Sequence, residues 1–392
     1  MEETTSIAKK RTNLSFIGEP LVFLLIFGSF FAALAHVMGA ANMMNTLMNT
    51  SYQLITDTVL YLMGITVLMG AVSLLLSEFG VVDLLNKLLS PLMKPLYGLP
   101  GASALGMLTT YLSDNPAILS LAENKSFRSC FKKYQLPALT NLGTAFGMGM
   151  VVTTFMFGLG KGYGLAALVG NIGAIIGSIV STRIMLHFTK KVYGLEAGCD
   201  SDLPVTEDII NTSDEHGEKK SLSSRILDSI LNGGKLGVDM GLAIIPGVVI
   251  ICTLVLILTN GPSASGEYTG AAYEGIALLP WIGNKISVIT GPLFGFHDPA
   301  NISVPITALG AAGAAIGLVP NLVRSGMANP HDVAVFTSMC MCWSGYLSTH
   351  VAMMSSLGCS KLTGKAILSH TIGGLCAGIA ANWIYQAVAL FM

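Results

Sequence analysis

The sequence is short of charge. Only 11% of its 392 residues are Asp, Glu, Lys or Arg, while 52% are hydrophobic. A soluble domain carries about 25% charged residues. The few charges also avoid windows of about 20 residues, the length of helix that crosses a bilayer core. This scarcity excludes an ordinary soluble fold. An excess of either sign is missing too: the formal net charge is -1, so there is no basic face for nucleic acid. The apolar runs lack the strict alternation of a β-barrel. The seven cysteines include no CxxC pair, and Cys340-Met-Cys342 has no partner motif. They read as small residues of membrane helices. No phosphate loop, zinc site or activated nucleophile is present, so neither enzyme activity nor a cofactor is expected. A cleavable leader is not expected either. The apolar run 18–38 is too long for an h-region and reads as an uncleaved first span.

What the chain has in quantity is glycine (44 residues) and methionine (20 residues). Small residues let membrane helices approach closely. The expected class is an all-α polytopic membrane protein. Full spans are expected near 20–38, 54–76, 136–158, 162–188, 238–258, 333–355 and 366–392. Amphipathic segments at 81–94 and 276–290 suit interfacial helices. Two apolar segments, 95–124 and 291–322, are interrupted by Pro and Gly. Broken segments of this kind at corresponding places in two halves point to a transporter's substrate site.

Charge sets the expected topology. Of the 21 Lys and Arg, Lys161, Lys285 and Arg324 fall outside, Arg183 near the inner end of the fourth span, and the others inside. By the positive-inside rule the N-terminus is cytoplasmic. Lys87 and Lys94 precede the first broken segment, and Lys125, Arg128, Lys132 and Lys133 follow it. A hairpin that enters and leaves from the same side accommodates both groups. Residues 191–234 are a charged linker. The expected divisions are 1–50 (N-terminus and first span), 51–190 (first repeat), 191–234 (linker) and 235–392 (second repeat).

The halves match at one offset. Pro95-Leu96-Tyr97-Gly98 maps to Pro292-Leu293-Phe294-Gly295, and the same shift takes Leu139-Thr140-Asn141 to Phe336-Thr337-Ser338. Each half reads as span, re-entrant hairpin, span, span, in opposite orientations, which makes about seven full spans and two hairpins. The PLYG and PLFG segments, the glycine-rich spans after them and the duplicated layout resemble the nucleoside-recognition (Gate domain) membrane proteins of the YjiH kind. That family is related to concentrative nucleoside transporters. The resemblance implies a carrier fold from about residue 60 to 383. No GTPase domain accompanies it, so the iron-transporter arrangement is not implied.

Several polar residues stand out at membrane depth. Ser113, Asp114 and Asn115 interrupt the first hairpin just before Pro116. A carboxylate there usually faces a cavity, although a helix cap would also explain it. His297, Asp298, Asn301 and Ser303 are the expected counterpart in the second hairpin, where Asp298 could hold a cation or cap the next turn. The shared offset, however, carries Asp114 to Ala311. Thr140, Asn141 and Thr144, with the repeat-related Thr337 and Ser338, either bind solute or hydrogen-bond between helices. Ser344, Thr349 and His350 lie further along the same span. The function expected is secondary transport of a small polar or anionic solute, nucleoside-like or carboxylate, coupled to Na+ or H+. A membrane assembly or signalling partner and a passive channel are the alternatives. The expected setting is a bacterial inner (cytoplasmic) membrane, with lipid and a solute as partners and self-association open.

Overall fold

The computed structural model describes residues 13–115, 117–118, 121, 124–194 and 221–391. Pro116 and most of the linker lie outside them. The described residues form helices and no strand. Among the described residues, six segments are long and apolar enough to cross a membrane, consistent with an integral membrane protein.

Helix α1 (Asn13–Met38) turns at Gly39 into α2 (Ala40–Glu78), 39 residues long. This helix starts well before the span expected at 54–76. Its Asn/Met-rich first part buries Met43, Thr46 and Thr50, spaced along one helical face. A wide π turn at Leu54–Val59 interrupts the regular ladder. Much later in the chain, α9 (Leu222–Thr259) is 38 residues long and has its own wide turn at Gly247–Cys252, just after Pro246. A proline removes one backbone donor and loosens the ladder there.

Helices α2 and α9 pack antiparallel. Gly70 lies against Gly233, Thr66 against Gly237 and Met63 against Gly241. Arg225 Nε closes one end on Glu78 Oε1 at 2.6 Å. The glycines are needed because a Cβ on Gly237 would overlap the Thr66 carbonyl.

Two shorter helices, both expected to be interfacial, follow one rule. Helix α3 (Val81–Tyr97) and helix α10 (Leu278–Phe294) are each 17 residues long and lie 197 residues apart at both ends. Each stops at a left-handed glycine, Gly98 (φ 72°) and Gly295 (φ 65°). A left-handed glycine satisfies the last carbonyls at no steric cost. The hairpins therefore begin later than the sequence suggests. Pro95 and Pro292 each cost one backbone bond without ending the helix, and the glycine ends it.

The first hairpin is α4 (Ser103–Leu112), a tip at Ser113 to Asn115, and a returning arm of which 117, 118 and 121 are helical. Helix α5 (Lys125–Ser129) leads out of it. The next membrane segment is α6 (Ala138–Thr144) and α7 (Gly149–Phe157), followed by α8 (Tyr163–Tyr193). In the second half, a 3-10 turn (Pro299–Ile302) and α11 (Ser303–Ala308) form the outgoing arm. The tip is Leu309 to Ala311, and α12 (Ala312–Arg324) returns. Then come α13 (Pro330–Cys342), α14 (Ser348–Ser356) and α15 (Thr363–Ala389).

The third and sixth spans thus differ from the continuous helices expected. Each is two short helices joined by an unwound break, at 145–148 and at 343–347. The segment expected to span at 333–355 is not among the six long helices. Helices α8 and α15 form the packed centre, with Gly173 against Ala377 and Gly177 against Gly373.

Candidate functional site

The two breaks and the two hairpin tips converge. Met148 ends the first break in the left-handed region (φ 56°), a conformation uncommon for a non-glycine residue. Gly147 in the first break and Gly345 in the second both lie against Asn115 at the first tip. A Cβ on Gly345 would fall 2.8 Å from Asn115 Nδ2, and one on Gly147 would overlap Asn115 Oδ1. Asn115 is buried (5% exposed). Its Nδ2 donates to Ser344 Oγ at 3.4 Å, and Ser344 Oγ donates to the Thr144 carbonyl at 3.1 Å. One asparagine therefore ties the hairpin tip to both breaks.

Beside Asn115 lies a cavity of about 300 Å³. Its polar lining is Asp114, Asn115, Ser344, Ser348 and Thr349. The second tip contributes Gly310 and Ala311, and the wide turn of α9 contributes Gly247. Among the described residues, Asp114 is the one charged residue in the lining. It is half-buried, and its Oδ1 accepts from the Asn115 N–H at 2.7 Å. Helices α7, α12 and α14 begin at this cavity without a side-chain cap.

The offset of 197 was the better guide to the second hairpin. It carries Asp114 to Ala311, and both line this cavity. His297 and Asp298 sit at the start of their hairpin, away from its tip. Asp298 Oδ1 accepts from Ala300 N at 2.7 Å and caps the 3-10 turn. His297 N–H donates to Asp332 Oδ1 at 2.9 Å, and His297 lines a separate cavity of about 220 Å³ with Ser287 and Thr290. Removing the cap with Asp298→Ala is expected to lower stability by about 1 kcal/mol and leave solute binding unchanged. Chemical denaturation and a binding titration of the same variant check both halves of that statement.

The other sequence-selected residues lie in helix packing. Asn141 Nδ2 donates to Ser181 Oγ (2.9 Å) and to the Ala366 carbonyl (2.8 Å). Thr144, Thr337 and Ser338 donate to carbonyls of their own helices, and Thr140 to Met354 Sδ. Asn301 Nδ2 reaches the Met327 carbonyl. Ser303 is buried with its Oγ unpartnered. Ser113 ends α4 next to Asp114 without lining the cavity.

Two features escaped sequence reasoning. The breaks carry a readable signal, Gly147-Met148-Gly149 and Ser344-Gly345, in the middle of otherwise apolar spans. Asp332, a fully buried carboxylate, is the other. Its Oδ2 accepts from Asn329 N–H at 2.9 Å in a capping box, a pattern visible as Asn329-Pro330-His331-Asp332. Gln135 does the same work 197 residues earlier, accepting from Lys132 N–H and donating to the Gly98 carbonyl.

No family model and no curated protein matches the chain. Solved structures do. CNTnw, a concentrative nucleoside transporter, in an inward-facing substrate-bound state is 13% identical with a TM-score of 0.55. The alignment covers 94% of this chain and 84% of that one. A doubly substituted CNTnw in an outward-facing state is 14% identical with a TM-score of 0.53, over 94% and 85%. A second such variant gives 13% and 0.52 over the same shares. The chain has the CNTnw fold.

Proposed function

We propose that this protein is a secondary transporter whose solute binds in the 300 Å³ cavity between the hairpin tips and the breaks. The observation that carries this reading is the convergence of both tips and the second break on one cavity in which, among the described residues, Asp114 is the one carboxylate. The solute is small and polar. The wall presents a carboxylate, three hydroxyls and an amide, a polar lining that an apolar ligand would desolvate without compensation. Asp114 holds the coupling cation, H+ or Na+. The two units 51–190 and 235–392 act as inverted halves around the cavity, linked by 191–234, in a bacterial cytoplasmic membrane. Similarity of fold to CNTnw supports the transport reading. Under it the protein has no enzyme activity.

The experiment has two steps. Purified protein is screened by thermal shift against nucleosides, amino acids, dicarboxylates and Na+. A ligand that binds only the folded state at 100 times its Kd adds about 2.7 kcal/mol of stability. The stabilising solute is then offered to proteoliposomes under H+ and Na+ gradients. Accumulation driven by one gradient is the expected result. Equal uptake with and without a gradient would make the protein a channel instead.

A further inference from the structure

One side-chain network behind the cavity lining joins three elements of the first half. Tyr111 stands in the last turn of α4, Thr153 near the start of α7 and Asn171 in α8. Tyr111 OH donates to Asn171 Oδ1 at 3.0 Å, Asn171 Nδ2 donates to Thr153 Oγ1 at 2.9 Å, and Thr153 Oγ1 donates to the Gly149 carbonyl at 2.7 Å. We propose that Tyr111, Asn171 and Thr153 are positioning residues that hold the first hairpin tip, and with it Asp114, against the first break.

The chain of bonds has one consistent direction. A phenol has one hydrogen to give, and Tyr111 gives it to Asn171. The amide of Asn171 has two, and both are placed, one on Thr153 and one on the Ala167 carbonyl at 2.8 Å. That orientation turns Asn171 Oδ1 toward Tyr111. The hydroxyl hydrogen of Thr153 goes on to Gly149. The Tyr111 and Thr153 oxygens lie 3.3 Å apart, so the three side chains close on one another. A fully satisfied polar network in an apolar body selects one arrangement of the elements it joins. Here those elements are the hairpin arm, α8 and the start of α7.

Both ends of the network adjoin the cavity. Gly149 follows Met148, and Asp114 comes three residues after Tyr111; Met148 and Asp114 both line the space. The tyrosine ring itself touches the break. A Cβ on Gly149 would fall 2.3 Å from Tyr111 Cδ2, so only glycine leaves the ring its place. Asn115, on the other side of Asp114, donates to Ser344 of the second break. Asp114 therefore sits between two tethers, one to each break. Fixing it matters because the attraction between two charges falls with their separation.

The network occurs in one half only. The offset that relates the halves carries Tyr111 to Ala308 and Asn171 to Leu368, side chains that can neither donate nor accept. The second tip bonds through its backbone, with Gly310 N–H and Ala311 N–H both 2.9 Å from the Thr307 carbonyl. A network that served only to pack helices would be wanted equally in both halves. This one stands beside the tip that carries the charge. That Asp114, so held, meets a cation rests on the transport reading. The positioning of the tip does not.

The test is amide hydrogen exchange of the detergent-solubilised protein without added solute, read by mass spectrometry over residues 109–115. Tyr111→Phe keeps the ring and removes the hydroxyl. Gly149→Ala keeps the hydroxyl and displaces the ring. Each should speed exchange at the tip about tenfold, the weight of one hydrogen bond. Tyr97→Phe is the control. It removes a bond of the same kind to the same helix, from Tyr97 OH to Ser178 Oγ at 2.8 Å, and the second half already has Phe294 at that place. It should leave the tip unchanged. If Gly149→Ala fails to fold, Tyr111→Phe still decides. In proteoliposomes offered the solute found by the thermal-shift screen, Tyr111→Phe should raise the Na+ or H+ concentration for half-maximal uptake about tenfold and leave the maximal rate little changed. Tip exchange in Tyr111→Phe equal to wild type, an equal rise in Tyr97→Phe, or an unchanged cation requirement in a transporting Tyr111→Phe protein would overturn the inference. A wild-type protein that moves no solute, with tip exchange raised in Tyr111→Phe alone of the two tyrosine variants, would defeat the transport reading and support the positioning of the tip.

Discussion

Asp114→Asn is expected to lower cation-driven uptake about 100-fold or more while the protein still folds. The substitution removes the one charge that the described residues bring to the cavity lining and almost nothing else. Asparagine has the same shape, and its Oδ1 can still accept from the Asn115 N–H, the bond Asp114 makes now. A monovalent cation about 4 Å from a carboxylate gains about 4 kcal/mol at an effective dielectric constant of 20, which corresponds to about a thousandfold in affinity. About two-thirds of that interaction already corresponds to 100-fold. Uptake into proteoliposomes under an imposed gradient measures the loss, and a melting curve in detergent confirms the fold. Solute exchange without a gradient should survive better than driven accumulation, because exchange does not need the cation to do work.

Gly345→Val is expected to weaken solute binding about 10- to 100-fold. The added Cβ would sit 2.5 Å from Thr349 Oγ1 and 2.8 Å from both Cγ and Nδ2 of Asn115. Those separations are far inside ordinary contact, so Asn115 and Thr349 must move. Both line the cavity. Losing one or two polar contacts to the solute at about 1 to 1.5 kcal/mol each gives the stated range. Overpacking should cost about 1–3 kcal/mol of stability as well. Gly345→Ala carries the same Cβ with less bulk and should fall between wild type and valine. A binding titration on the three proteins checks the order. Equal affinity in all three would mean the second break does not shape the site.

Much of this architecture was legible in the residues. Scarcity of charge and long apolar runs identify a helical membrane protein because the bilayer admits few alternatives. The correspondence of α3 and α10 was legible because PLYG and PLFG keep a glycine in the same left-handed position, where other residues are strained. The breaks at 145–148 and 343–347 were missed for a physical reason. Hydropathy sums over a window, and an unwound turn built from Ala, Phe, Gly, Met, Trp and Tyr is as apolar as a helix. Only its dihedral angles differ. The site was legible where one charge stands alone, as at Asp114. It was obscured where chemistry and position disagree. Asp298 beside His297 looks like a binding pair, yet Pro299 makes Asp298 a cap. Ala311 has no functional group, yet its offset from Asp114 brings it to the same cavity. The polar residues of α6 and α13 look like ligands in sequence. In the folded chain they satisfy their own or neighbouring helices, and the side chains that reach the cavity lie within and just after the break, at Ser344, Ser348 and Thr349.

The cavity between the tips is the centre of this account, and filling it is the most direct test. Ala311→Trp places a large ring in the 300 Å³ space from the tip that carries no charge, and so leaves Asp114 and Asn115 untouched. Equilibrium binding of the stabilising solute is measured on wild type and on this variant, with a melting curve for each. The account predicts loss of measurable binding with the melting temperature of the solute-free protein little changed. Binding of wild-type affinity in the filled variant would contradict it.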